Sequence, residues 1–123
     1  MWKMNMKKLI ILSGLMFIGI TSFAQNKNAK ASIEVNGICM MCKVRIEKAA
    51  IKTKGVKAAS WNVDTHELKL FYDDRKTDLK TIQTNIAAVG HDTMEFKATD
   101  EVYNSIDDCC KYRDPEVVED HKN

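Results

Sequence analysis

The chain has 123 residues, enough for one small domain and a short extension. With 29% charged and 7% aromatic side chains its composition is that of an ordinary globular protein, which excludes a low-complexity or collagen-like chain. Its formal charge of +2 is too small to attract nucleic acid or anionic lipid.

Lys3, Lys7 and Lys8 precede an apolar run at 9–20, and Ser22 and Ala24 stand as the small residues of a cleavage site. The run is too short to cross a bilayer as a helix, which takes about 20 residues. Residues 1–24 therefore read as a secretory signal peptide, against the alternative of a short buried helix or a membrane anchor. The mature chain is expected in the periplasm or secreted, cleaved near Ala24 and with no stable membrane insertion afterwards. Removing three of the 19 basic side chains, and none of the 17 acidic ones, turns the formal charge of +2 into about −1.

Residues 25–30 are polar and form a linker. Segment 31–36 alternates, with Ile33 and Val35 on one face, and predicts a first strand. Gly37 to Cys42 is a loop that turns into a helix running to about Thr53, with Cys42, Ile46, Ala49 and Ala50 on one face. Gly55 is placed to end that helix. A hairpin follows: Ala59, Trp61 and Val63 alternate on a strand over 56–63, the turn lies at 64–67, and Leu68, Leu70 and Tyr72 alternate on the next strand. Thr77 is the expected N-cap of a second helix with the stripe Leu79, Ile82, Ile86 and Val89, closed by Gly90. Segment 93–97 predicts a fourth strand, with Met94 and Phe96 on one face.

The order β-α-β-β-α-β predicts an α+β domain over 31–98, a four-stranded antiparallel sheet with both helices on one face. An extension at 99–123 follows, with a short helix over 99–106, the pair Cys109–Cys110, and a charged tail.

All four cysteines lie outside the leader. An even count in an exported chain first suggests disulfides, yet Cys39 and Cys42 are three apart and Cys109 and Cys110 adjacent, so either pair would staple only a tiny loop. A Cys-x-x-Cys opening a helix has another chemistry. The thiolate is the nucleophile and metal ligand, and the free N–H groups of a helix N-terminus, aided by Lys43 and Arg45, should lower a cysteine pKa. Two thiolates on a tight loop converge on one soft ion. Sulfur suits Cu(I) and zinc, and zinc wants four ligands. Met40 and Met41 offer thioether sulfur or simply pack.

Gly37, Cys39-Met40-Met41-Cys42, the helix run Val44-Arg45-Ile46-Glu47-Lys48-Ala49, Gly55-Val56 and Gly90 together resemble the heavy-metal-associated domain family over about residues 31–98. The resemblance implies a ferredoxin-like βαββαβ sandwich in which Cys39 and Cys42 hold the ion and pass it to a partner's cysteine pair. The family includes copper chaperones, metal-binding domains of copper-transporting ATPases and a periplasmic mercury-binding protein. Here Gly37-Ile38 runs straight into Cys39, one residue shorter than the family's Gly-Met-x-Cys-x-x-Cys, and Ile38 stands where the family has methionine.

The resemblance also sets His91 beside the cysteine loop, as a third ligand or gate, or else as a surface loop histidine. Cys109 and Cys110 carry three competing readings: added ligands of the loop site, a separate metal or redox station, or disulfide partners of the loop cysteines. His66 and His121 are expected to face solvent. The function expected is an exported Cu(I) chaperone or buffer, with Hg(II), Zn(II) or Cd(II) as other cargoes. Its expected partner is a copper-transport ATPase or another cysteine-bearing acceptor, with no nucleic acid. A mercuric-ion-binding resistance protein, a thiol–disulfide redox protein and a disulfide-stapled interaction module are the rivals. No Ser-His-Asp set or Gly-rich phosphate loop suggests an enzyme.

Overall fold

A computed structural model describes residues 25–122; the expected signal peptide, residues 1–24, lies outside them. The elements in chain order are β1 (Ala29–Glu34), α1 (Met40–Lys52), β2 (Val56–Trp61), β3 (Glu67–Tyr72), α2 (Leu79–Ala87), α3 (Asp100–Ser105), a 3-10 turn (Asp108–Cys110) and α4 (Pro115–Asp120). The strands form one antiparallel sheet in the order β1-β3-β2. On β3 the period-two alternation is strict. Leu68, Leu70 and Tyr72 are buried, while Lys69 and Phe71 face out. The buried face meets α1 and α2, whose apolar stripes place Ile46, Ala49, Ala50, Ile82 and Ile86 in one core with Ile33, Val35 and Trp61.

The helix boundaries follow local chemistry. Asp78, not Thr77, caps α2, its carboxylate accepting from the Thr81 N–H at 2.7 Å. Asp78 is extended, at φ −139 and ψ 169, as an N-cap residue is. Beyond α2 the chain passes through Gly90 at φ +110, where a Cβ would lie 2.6 Å from Ile106 Cγ2.

The fourth strand does not form. Only Val35 and Thr93 pair, in a single antiparallel bridge. The Thr93 N–H donates to the Phe96 carbonyl at 2.8 Å, the Phe96 N–H to Thr93 Oγ1 at 3.1 Å, and the Ala98 N–H to Asp92 Oδ1 at 2.8 Å. Those donors are spent inside a turn and cannot extend a ladder along β1. Met94, grouped with Phe96 on one face by the alternation, is 74% exposed. The chain therefore doubles back instead of running to the far edge, and the segment after Ala98 returns across the end of the domain that carries Cys39.

Candidate metal centre

Cys39 is the N-cap of α1, extended at φ −144 and ψ 172, and its sulfur accepts from the Cys42 N–H at 3.4 Å. Cys42 sits one turn into the helix on its buried face. Gly37 makes this approach possible, since a Cβ there would stand 3.0 Å from both Cys42 Cβ and the Trp61 ring. The ring is held by its Nε1–H, which donates to the Val35 carbonyl at 3.0 Å. Glu47 ties the same helix to β2 by accepting from the Trp61 N–H at 2.8 Å and from Lys43 Nζ at 2.6 Å.

The Cys39 and Cys42 sulfurs are 3.0 Å apart, and Cys110 Sγ lies 3.0 Å from Cys39 Sγ on the other side. All three sulfurs fall within 4.8 Å of one another. The 3-10 turn at 108–110 gives the two adjacent cysteines different exposures. Cys110 is fully buried in the sulfur group, while Cys109 is exposed, 3.9 Å from Cys110 Sγ and 3.5 Å from the Met41 thioether. No disulfide joins any of the four.

The electrostatics depart from the expectation of an acidic thiol at a helix N-terminus. Burial pushes the Cys39 thiol up, and the Cys110 side chain only partly offsets it. Burial likewise raises Cys42, against the Ile38 backbone contact. Loss of water around these sulfurs thus holds both thiols above their ordinary range. Arg45 supplies positive charge from behind. Burial works against its guanidinium, but Cys110, Cys42 and Asp107 more than compensate and hold its pKa above the usual value. Soft three-sulfur coordination that forms by releasing protons is what such a group can do chemically.

His91 is neither in the sulfur group nor on the surface. It is fully buried, with Nδ1 2.8 Å from the Asn36 carbonyl, Nε2 3.3 Å from Arg45 Nη1, and Tyr112 stacked on its ring at 5.5 Å. An Nδ1–H tautomer donates to Asn36 and accepts from Arg45, so both nitrogens are occupied. Burial, and secondarily the Arg45 charge, lower its pKa to about 4. His91 thereby orients Arg45, whose Nη2 also meets Asp107 Oδ2 at 2.8 Å just before the 3-10 turn. His66 is half-buried against Trp61, and His121 is exposed.

The clasp that holds the tail in place has no counterpart among the expected site residues. Tyr112 donates its hydroxyl proton to the Gly90 carbonyl at 2.8 Å and accepts from the Asp92 N–H at 2.9 Å. Arg113 grips Asp92 through Nε at 3.1 Å and Nη2 at 2.7 Å, reaches the Ala98 carbonyl at 2.8 Å, and lies 4.2 Å over the Tyr103 ring. The one sequence signal was an aromatic beside an arginine, Tyr112-Arg113, in a tail otherwise read as solvated charge.

Residues 32–92 match the heavy-metal-associated domain family. Residues 32–92 are a heavy-metal-associated domain. The zinc-transporting ATPase of Synechocystis sp. is 38% identical to this chain over 68 residues, covering 54% of the chain and 9% of the ATPase. The copper-exporting P-type ATPase of Staphylococcus haemolyticus is 36% identical over 66 residues, covering 53% and 8%. The chain thus spans less than a tenth of the length of the curated relatives it matches. Among solved structures, a CopZ metallochaperone superposes with a TM-score of 0.52 at 27% identity, covering 54% of this chain and all of that one. Oxidized MerP from Ralstonia metallidurans CH34 superposes with a TM-score of 0.52 at 24% identity over 54% of this chain and 93% of its own, a likeness of fold alone. The heavy-metal-associated domain supplies Cys39 and Cys42; Cys110 lies beyond the family match, in the tail.

Proposed function

We propose that this protein is an exported carrier or buffer of a thiophilic cation, with Cu(I) its first candidate, held by Cys39, Cys42 and Cys110. The observation that carries the reading is the convergence of the three sulfurs within 4.8 Å, two of them on the family's own loop. Cu(I) is content with two or three thiolates, and the likeness to a copper-exporting ATPase segment supports copper. Delivery proceeds by ligand exchange. A thiolate of the acceptor attacks the under-coordinated ion, one of the three cysteines leaves as the acceptor bonds, and the leaving sulfur takes up a proton. The relation to ATPase segments supports a metal-transporting ATPase, or another protein with paired cysteines, as acceptor. The leader pattern of Lys3, Lys7, Lys8, the apolar run and Ala24 supports export.

Zinc is the second reading, favoured by the 38% identity to a zinc-transporting ATPase segment. Three thiolates leave Zn(II) one ligand short of its tetrahedron, so a water or an acceptor sulfur must complete it.

A competition titration of the reduced protein with Cu(I) and Zn(II) tests both. Cys39→Ser and Cys42→Ser are expected to abolish tight binding. Cys110→Ser is expected to weaken Cu(I) about a hundredfold, equivalent to about 2.8 kcal/mol. Full affinity in both loop variants refutes the carrier, and preferential retention of Zn(II) over Cu(I) moves the assignment to zinc.

A further inference from the structure

The three inner sulfurs are poorly placed to collect an ion for themselves. Cys42 and Cys110 are fully buried, and only Cys39 is partly open. Directly outside them stands a second sulfur pair. Cys109 is exposed and its sulfur is 3.5 Å from that of Met41, itself 49% exposed on the first turn of α1. Neither side chain belongs to the apolar core, and Cys109 meets the Met41 and Cys110 sulfurs. From Cys109 Sγ the next sulfur inward is Cys110 at 3.9 Å, and from Cys110 the next is Cys39 at 3.0 Å. The sulfurs therefore form a graded series from solvent to core: thioether and exposed thiol, buried tail thiol, loop thiols.

We propose that Cys109 and Met41 form an outer station through which Cu(I) enters and leaves the inner site. The inference rests on the assignment of Cys39, Cys42 and Cys110 as that site. A thiolate with a thioether is a soft donor set suited to Cu(I), and it is weaker than three thiolates, as a transit station must be. On loading, the Cys109 thiol gives its proton to water as its sulfur bonds the ion, with Met41 as second donor. Cys110 then loses its proton and bonds the ion, the Cys109 bond breaks, and the Cys109 sulfur takes up a proton. Cys39 and Cys42 then each release a proton to water as their sulfurs bond the ion, and the neutral Met41 thioether leaves without taking one up. The ion stays Cu(I) throughout, so no oxidant or reductant is required. Adjacent cysteines suit this relay because the 3-10 turn gives them one backbone and opposite exposures, so that a small movement of the turn carries the ion between them.

Stopped-flow transfer of Cu(I) from its bicinchoninate complex to the reduced full-length chain tests the station, paired with an equilibrium competition on the same samples. Cys109→Ser and Met41→Leu are each expected to slow loading about tenfold. The double variant is expected to be no slower than the worse single one, because both residues serve one station. The final affinity of each is expected to change less than about threefold, a difference under 1 kcal/mol. Met40→Leu, at a more exposed methionine with no sulfur contact among the described residues, is expected to load at the wild-type rate. Unchanged rates in Cys109→Ser and Met41→Leu overturn the station while leaving the inner site standing. A loss of affinity in Cys109→Ser matching that of Cys110→Ser also overturns it, since Cys109 is then a full ligand. Wild-type protein that binds no Cu(I) overturns the inner site and the station together.

Discussion

Arg113→Met would cut the clasp between the tail and the domain. The substitution keeps most of the side-chain volume over Tyr103 and removes the charge that Asp92 depends on. Asp92 is 7% exposed, and burial opposes its charge. Arg113, the Ala98 N–H and Tyr112 together overcome that and hold its pKa below the ordinary carboxylate value. Breaking a fully buried pair costs about 3–5 kcal/mol, because the surviving charge is left without a partner. The Arg113 side chain keeps 28% of its surface, so screening reduces the figure here to about 2–3 kcal/mol. Urea unfolding of the metal-free protein measures it. The same variant is expected to lose Cu(I) affinity toward the Cys110→Ser level, since Cys110 reaches the site only while the tail is docked. Adding Asp92→Asn to Arg113→Met is expected to recover part of the stability, the buried charge then being gone. A stability loss below about 0.5 kcal/mol, in the range of ordinary surface changes, would refute the claim that this ion pair fastens the tail. Full metal affinity in a variant whose tail is demonstrably loose would refute the dependence of Cys110 on it.

Gly90→Ala is expected to cost about 1–3 kcal/mol, since φ is +110 there and the new Cβ would sit 2.6 Å from Ile106 Cγ2; a thermal melt within a degree of wild type would count against it. His91 makes stability depend on pH. Its folded pKa of about 4 lies below the unfolded value near 6.5, so its contribution is complete above pH 6.5, declines as the unfolded chain takes up the proton, and is gone below about pH 4. The full effect is about 3 kcal/mol, readable as the slope of unfolding free energy between those limits, and His91→Phe is expected to flatten that slope.

Much of the fold was legible in residue order because its determinants are local. Alternation at Leu68, Leu70 and Tyr72, helical spacing at Ile46, Ala49, Ala50, Ile82 and Ile86, and glycines where φ turns positive at Gly55 and Gly90 are all short-range patterns. Two local readings failed. Thr77 was expected to cap the second helix, and the next residue, Asp78, caps it through its carboxylate. Segment 93–97 alternated like a strand, but Thr93 captured the Phe96 donor and Asp92 that of Ala98, folding the chain into a turn.

By itself the sequence determined the paired thiols at the mouth of the first helix, because three-residue spacing on a helix start places Cys39 and Cys42 together whatever the rest of the chain does. Only the tertiary structure decided that Cys110 joins them across 71 positions, that Cys109 does not, and that His91 is a buried support. Those outcomes depend on a missing strand, a carboxylate that found its arginine and a tyrosine that covered a histidine. Contacts between distant residues are set by the balance of burial and chain closure over the whole molecule, and no local pattern encodes that balance.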